Sequence, residues 1–219
     1  MALIVIYKKY TVDFDNTDYP IPAPPATEED YLSVRNSATS KNVYENPSTA
    51  LWPSQGTMAG DEGFYVRRSG VVWDTSSLEG FDIIGVALRV YLYYSYAGAI
   101  CGNTIENGQP DYPHNPGVAG DYALSNYSGN GGQIPIGQPN GFYDIELTED
   151  GISWINKTGD TKFIFISDND INAVVPTHGY EGYGLRNDYA VYSPQLRITY
   201  EIPTGYDYPL YPVIFPLET

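Results

Sequence analysis

The sequence predicts an all-β protein, an antiparallel β-sandwich of the jelly-roll type with one short helix and extended terminal arms. The composition favours this class, with 22 Tyr, 22 Gly and 17 Pro among 219 residues. Tyrosine favours strands and half-buried surfaces, whereas glycine and proline mark turns. Strand-like segments recur along the chain without alternating with long helices. The length is typical of a single large β-sandwich domain.

The first segment of the chain is predicted to be an arm joined to the domain by a stiff linker. Residues 1–14 are rich in Ile, Val and Tyr and show the weak alternation of an extended strand. Residues 19–30 read YPIPAPPATEED, a proline-rich stretch that is typical of an extended linker. We therefore place the arm and linker in residues 1–29. The β domain is expected to begin at Asp30, with a short strand in DYLSVRNSA.

The central strands are indicated by the spacing of their apolar residues. Strands are predicted at residues 64–73, 142–147 and 195–202, and KFIFI at residues 162–166 is apolar on both faces, as in a central strand. Thr148 is expected to cap the one short helix. The clearest alternation has a period of two and places five apolar residues on one face. These residues are Ile84, Val86, Leu88, Val90 and Leu92.

A long segment rich in Gly, Asn, Pro and Tyr is predicted to carry recognition. It covers residues 95–141, and a connection of this length is uncommon unless it is functional. Tyrosines in such surroundings are typical of surfaces that bind a glycan or a partner protein. The alternative is that the rings pack beneath their own loop. The candidate residues are Tyr94, Tyr96, Tyr112, Tyr122 and Tyr127.

Both ends of the chain are apolar and are therefore expected to dock, either on their own domain or on a neighbour. The C-terminal arm is placed at residues 203–219, where four prolines interrupt any regular strand. Addition of a strand to the sheet edge of a neighbouring subunit is the mode of assembly that the arms predict. The residues expected to make these contacts are Leu3, Val5, Tyr7, Tyr208, Tyr211, Ile214 and Phe215.

The charge and the reactive residues exclude several classes of function. The net charge of -16 repels phosphate, so we expect no binding to nucleic acid or to an anionic membrane. We expect no membrane insertion either, because no apolar run approaches the ~20 residues of a membrane-spanning helix. Cys101 is the single cysteine, and His114 and His178 are the two histidines, which disfavours disulfides and histidine-rich metal sites. The N-terminus lacks the pattern of a signal peptide.

Motifs of catalysis and of cofactor binding are absent, so the chain is not expected to be an enzyme. It contains no G-x-S-x-G elbow, no H-E-x-x-H helix, no P-loop and no Rossmann glycine run. The acids of SDND predict a turn, because Asp and Asn are common turn residues. A structural calcium ion bound by Asp168 and Asp170 is the alternative, and no other cofactor is expected.

The stretch RRSGVVWDTSSL, at residues 67–78, is the most distinctive part of the sequence. Trp73 is suited to cover the end of a core, Asp74 to open a turn, and Thr75 and Ser76 to cap a helical turn. With Arg68 before it and the strand after it, this corner resembles the DNRLRE domain family. That family consists of β-sandwich modules related to carbohydrate-binding modules.

Later segments extend this resemblance along the domain. DIELT at residues 144–148, WI at residues 154–155 and PQLRITY at residues 194–200 match its middle and closing parts. The resemblance covers roughly one domain, residues 30–201, and leaves out both arms. It implies a module of a cell-surface protein or of a phage appendage.

These observations predict a non-enzymatic structural protein of a virus particle. We expect a capsid-decoration, fibre or tail component of a bacteriophage, assembled in the host cytoplasm and located in the virion. It would form a homo-oligomer and contact other virion proteins through its arms. Two alternatives remain open. One is a glycan-binding module that recognises a host-surface glycan, and the other is an extracellular or cell-surface filament subunit joined by donated strands.

Overall fold

A computed structural model describes residues 1–17, 27–58, 63–95 and 101–201, and for residues 94–95 the backbone alone. The strands, in chain order, are β1 (Ala2–Tyr7), β2 (Tyr10–Thr17), β3 (Asn42–Glu45), β4 (Ala50–Leu51), β5 (Ser54–Thr57), β6 (Phe64–Asp74), β7 (Asp82–Ser95), β8 (Asn103–Asn107), β9 (Gln133–Ile134), β10 (Gly141–Glu146), β11 (Asp160–Ser167), β12 (Glu181–Arg186) and β13 (Gln195–Glu201). The helices are α1 (Glu28–Arg35), α2 (Glu149–Ser153) and α3 (Asp168–Ile171).

The described strands form a continuous antiparallel network that folds back on itself. Its main path runs β1-β13-β7-β12-β5-β6-β11-β8-β9, with β10 on β7, β2 on β6, β3 on β2 and β4 on β12. Strand β12 pairs with β7 and also with β5, and so joins two layers. We name them the first layer (β1, β13, β7, β10, β12 and β4) and the second layer (β2, β3, β5, β6, β8, β9 and β11). This arrangement confirms the predicted all-β antiparallel sandwich.

The main core lies between the two layers and follows the predicted alternation. Alternate apolar side chains of β7 and β13 from the first layer meet those of β6 and β11 from the second. Ile84, predicted to lie on the same buried face, is 46% exposed. The reason is a shift in register between β13 and β7. Thr199 pairs with Gly85 and Tyr200 with Ile83, which leaves Ile84 in a bulge.

A second core covers the other face of the second layer. Helix α1 contributes Tyr31 and Val34, and the long segment after β8 contributes Tyr122 and Tyr127. These side chains pack on buried residues of β2, β6 and β11. The chain therefore has three layers, and the long irregular segment forms part of the third.

The N-terminal residues are part of the sandwich and not a free arm. Strand β1 pairs with β13, and β2 pairs with β6 and β3. Val12 and Phe14 of β2 are fully buried. The predicted domain boundary at Asp30 is therefore wrong, because residues 1–17 supply two strands. The predicted contact residues Tyr208, Tyr211, Ile214 and Phe215 lie outside the described residues.

Two helices were not expected, whereas the predicted one is confirmed. The Thr148 hydroxyl accepts a hydrogen bond of 3.1 Å from the Gly151 amide and caps α2. The short strand predicted from Asp30 in DYLSVRNSA is wrong. Glu28–Arg35 form α1 instead, because Thr27 and Asp30 make a reciprocal capping box. None of the described helices is long and apolar enough to span a membrane.

Candidate functional site

The corner at residues 73–76 is built on buried contacts. Trp73 is fully buried, and its indole nitrogen donates a hydrogen bond of 3.2 Å to the Pro194 carbonyl. Asp74 is exposed and accepts hydrogen bonds from the backbone N–H and the hydroxyl of Ser76, which begins a short 3-10 turn. These bonds lower the pKa of the Asp74 carboxyl. Asp74 therefore forms a turn, as the sequence predicts.

Thr75 has a different role from the predicted cap. Its hydroxyl is buried and lies 2.6 Å from the Asn156 carbonyl, 2.9 Å from the Gly159 carbonyl and 2.7 Å from the Thr161 hydroxyl. It thereby ties the end of β6 to the turn before β11.

We expect Thr75→Val to lower the free energy of unfolding by about 1–3 kcal/mol, because buried partners of the hydroxyl lose their hydrogen bonds. Urea unfolding followed by tryptophan fluorescence measures this loss. Thr158→Val is the matched control, since the Thr158 hydroxyl is exposed and bonds Asn156 at 3.2 Å. Equal losses in the two variants would contradict the assigned role of Thr75.

An open groove of about 800 Å³ lies beside this corner. Its polar side chains already have partners within the chain. Asp160 pairs with Lys9 at 3.0 Å, Gln109 donates to the Trp154 carbonyl at 2.8 Å, and Lys162 donates to the Pro110 carbonyl at 3.0 Å. The groove thus consists of groups that hold neighbouring loops together.

The tyrosines of the long segment do not form one exposed surface. Tyr122 and Tyr127 are buried in the second core, and their hydroxyls donate to the carbonyls of Val34 and Asp121. Tyr112 is partly buried against the same core. The alternative in which rings pack beneath their own loop therefore describes Tyr122 and Tyr127, and the prediction that they contact a ligand is wrong.

The two remaining candidates, Tyr94 and Tyr96, lie at and beyond the end of a described range. Tyr94 belongs to β7, but its side chain is outside the described part of the structure, as is all of Tyr96.

Arg68 lies at the centre of a buried ion pair. Its guanidinium donates to both carboxylate oxygens of Asp170, at 2.7 and 2.9 Å, and to the Arg35 carbonyl at 3.0 Å. It also donates to the Tyr122 carbonyl and lies 4.2 Å from the centroid of the Tyr122 ring. Arg68 and Asp170 are both fully buried. This pair joins β6, α3 and the long segment in the second core.

Asp168 and Asp170, the candidate ligands in the alternative with calcium, have separate partners. Asp168 accepts hydrogen bonds of 2.7 Å from the Thr104 hydroxyl and from the Gln133 amide. Asp170 is bound by Arg68 through both oxygens. Within the described ranges, no group of three or more His, Cys, Asp or Glu side chains could hold a metal ion.

Strand β1 is the uncovered end of the first layer. It reads ALIVIY, carries no charge, and pairs with β13 on one side, while no described strand pairs with its other side. Ile4 and Ile6 pack against the main core. Leu3 and Tyr7 point the other way and are 54% and 55% exposed. We call residues 2–7 the free edge.

A second feature lies on the outer face of the same layer. Phe142 of β10 stands opposite Tyr91 of β7, and Tyr192 packs on both rings at centroid distances of 5.9 and 4.8 Å. Tyr93 and Tyr189 extend the group. We call Tyr91, Tyr93, Phe142, Tyr189 and Tyr192 the aromatic patch.

Arginine side chains hold the aromatic patch in place. The Arg186 guanidinium lies 4.3 Å from the centroid of Tyr192 and 5.6 Å from that of Tyr93, and Arg89 lies 5.5 Å from that of Phe142. Arg89 and Asp144 form two hydrogen bonds of 2.6 and 2.7 Å. The resulting pair lowers the pKa of the Asp144 carboxyl.

Sequence spacing indicated part of this surface. The alternation of β7 places Arg89 and Tyr91 on the face opposite Leu88 and Val90. The contributions of Tyr189 and Tyr192 come from a loop before β13, and no periodic pattern marks them.

A scan against protein-family models finds no match, and a search of curated proteins finds no relative. The resemblance to the DNRLRE family stays a prediction.

Proposed function

We propose that the chain is a non-enzymatic structural subunit that joins other copies of itself by strand addition at the free edge. The observation that carries this proposal is the uncharged, six-residue strand β1 at the end of the first layer. An edge strand presents a row of backbone N–H and C=O groups that pair readily with another strand. Protein sheets commonly block such an edge with lysine, proline or a bulge.

The exposed face of β1 also favours pairing with a strand of another chain. Leu3, Val5 and Tyr7 point away from the core and form an apolar row beside the unpaired backbone. Residues with high β-propensity and no charge favour strand pairing between chains. A neighbouring strand would cover both the backbone groups and this row.

The positions of the reactive side chains support a non-enzymatic role. Asp74 serves its turn, and Asp170 is bound to Arg68 through both oxygens. Burial raises the pKa of the Cys101 thiol to about 12, which keeps it protonated and a poor nucleophile.

The assembly that we propose is a bacteriophage particle. The support is the resemblance to β-sandwich modules that occur in phage appendages, together with an edge suited to repeated contacts. A filament on a cell surface would use the same edge, and the two differ in the partners that co-purify.

The experiment replaces Leu3 and Tyr7, the two large exposed residues of the free edge, with lysine. We expect the unaltered chain to form multimers, with a mass that increases with protein concentration. The net charge of -16 opposes association, so assembly should strengthen as salt rises from 0.05 to 0.5 M. Leu3→Lys/Tyr7→Lys should weaken association at least about tenfold, because lysine on an edge strand disfavours pairing. Multi-angle light scattering across a concentration series measures both effects.

The matched control introduces the same charge at exposed apolar residues elsewhere. Ile136 and Val174 are exposed to a similar degree and lie outside β1. Ile136→Lys/Val174→Lys should assemble like the unaltered chain, and circular dichroism should report the same fold for both variants. Two results would contradict the proposal. The first is an unaltered chain that is monomeric at every salt concentration, and the second is an equal loss of association in the two variants.

Truncation at Asp30 is not a suitable test of assembly. It removes β2, whose Val12 and Phe14 belong to the second core, together with β1. Loss of assembly in that truncated chain would report unfolding.

A further inference from the structure

We propose that the aromatic patch binds a neutral oligosaccharide by stacking of sugar rings on Phe142, Tyr189 and Tyr93. This inference does not depend on assembly at the free edge. It rests on the exposure of the rings, on the side chains that hold them from beneath, and on the pairing of the arginines around them.

The rings of the aromatic patch are exposed as a group. Tyr93, Phe142 and Tyr189 are 48%, 50% and 63% exposed, and Val191, which precedes Tyr192 in the chain, is 56% exposed. Scattered surface apolar residues need no explanation, whereas adjacent exposed rings mark a binding surface. Aromatic rings offer flat apolar faces with a negative quadrupole, which suits the C–H face of a sugar ring.

The exposed rings are also held in fixed positions. The Phe142 and Tyr192 rings are within 27° of parallel, and Tyr91 meets both edge-on. Tyr189 contacts Tyr192 at a centroid distance of 6.1 Å. Fixed rings lose little conformational entropy on binding, and that loss is a principal cost of association.

The charges beside the patch favour a neutral ligand. Arg89 forms a bidentate pair with Asp144, which Arg197 also contacts at 3.3 Å, and Arg186 forms a bidentate pair with Asp188. Each of these arginines is thus paired with a carboxylate of the chain, and the net charge of -16 repels a polyanion. The same ion pairs present both hydrogen-bond donors and acceptors, which is the chemistry that a polyhydroxyl ligand requires.

Position on the sheet separates this surface from the free edge. Asp144 pairs with Arg89, Arg89 with Gln195, and Gln195 with Tyr7, so β10 and β1 are three strand spacings apart. That distance is roughly 14 Å at the usual spacing of strands. A neighbouring strand on β1 would therefore leave the side of the patch formed by Phe142 of β10 and Tyr93 of β7 accessible to a glycan.

The test titrates the full chain with neutral hexasaccharides of glucose, mannose, xylose and N-acetylglucosamine, and with an anionic uronic acid hexasaccharide. Isothermal titration calorimetry and the shift in intrinsic fluorescence report binding. We expect binding of at least one neutral hexasaccharide, and a loss of affinity of about tenfold or more in Phe142→Ala and in Tyr189→Ala. Loss of one aromatic contact of about 1.4 kcal/mol corresponds to that factor.

The matched control is Tyr44→Ala, since Tyr44 is 50% exposed and belongs to β3 in the other layer. This variant should retain the full affinity. The proposal is overturned if no neutral hexasaccharide binds at millimolar concentration, if only the anionic one binds, or if Tyr44→Ala weakens binding equally. A change of oligomeric mass in Phe142→Ala without any effect on glycans would assign the patch to a second copy of the chain.

Discussion

Replacement of Arg68 by methionine is expected to lower the free energy of unfolding by about 3–5 kcal/mol, because it removes the cation that binds both oxygens of the buried Asp170 carboxylate and leaves only Arg35, at 3.4 Å. Asp170 is fully buried and receives two hydrogen bonds from Arg68. The carbonyls of Arg35 and Tyr122 lose a charged donor in the same variant. Chemical unfolding followed by tryptophan fluorescence measures the loss.

The matched control is an exposed arginine that forms a similar bidentate pair. Arg89 binds both oxygens of Asp144 on the outer face of the first layer. Arg89→Met is expected to cost about 1 kcal/mol or less, because exposed ion pairs contribute little. Similar losses for Arg68→Met and Arg89→Met would contradict the central role of the buried pair.

A double variant separates the effect of losing the ion pair from the cost of leaving one charge buried without a partner. Arg68→Met/Asp170→Leu removes both charges, and replacement of a buried pair by apolar residues is often close to neutral. We expect the double variant to be more stable than Arg68→Met alone. Recovery will be partial, since α3 also contacts Arg35 through Asp170 at 3.4 Å.

The main core was predictable from sequence because its strands alternate. In β7 and β13 each inward residue is apolar and each neighbour is polar, small or aromatic, so a period of two identifies the buried face. Ile84 departs from this pattern because a bulge depends on the register with β13, and register is a property of two strands.

The second core was not predictable by the same means. Its apolar residues from the long segment, among them Tyr122 and Tyr127, have no regular spacing and sit among glycine and asparagine. Composition of that kind is shared by exposed recognition loops and by loops that cover a sheet. The contact of Arg68 with the carbonyl and the ring of Tyr122, 54 residues apart, decides between them and is visible in three dimensions alone.

The free edge was likewise predictable from sequence only in part. Its apolar character is evident from ALIVIY, but its pairing with β13 requires the whole fold. Whether such a strand is an arm or a sheet edge depends on what lies beside it. The sequence therefore indicated the residues of the candidate assembly surface and not their place in the sandwich.

Raising the pH from 5 to 8 is expected to destabilise the protein strongly. Burial raises the pKa of Asp13 from 3.8 to about 7, against the opposing effect of hydrogen bonds from Ser69 and the Trp52 amide. Burial, with a smaller effect of Asp170, raises the pKa of Glu106 from 4.5 to about 7. Both carboxyls therefore bind protons more tightly in the folded chain than in the unfolded chain.

The sign of the effect follows from this difference in proton binding. A group with a raised pKa in the folded state contributes stability that is complete below its unfolded pKa and is lost as pH rises through the folded value. For Asp13 the loss falls between pH 3.8 and about 7. The free energy of unfolding should fall by about 1.4 kcal/mol for each pH unit and each such group within this range. Acids whose pKa is lowered in the folded state, such as Asp144 and Asp188, change the free energy of unfolding below pH 3.8 instead.

Asp13→Asn tests this assignment, because an amide keeps the acceptor oxygen for Ser69 and for the Trp52 amide and has no charge to bury. We expect the variant to be more stable than the unaltered chain at pH 8, less dependent on pH between 5 and 7, and closest to it in stability near pH 4. Asp144→Asn should leave the slope between pH 5 and 7 unchanged, since the lowered pKa of Asp144 places its titration below this range. Urea unfolding at each pH measures the slope, and a slope that is the same in Asp13→Asn as in the unaltered chain would show that Asp13 is ionised in the folded protein throughout this range.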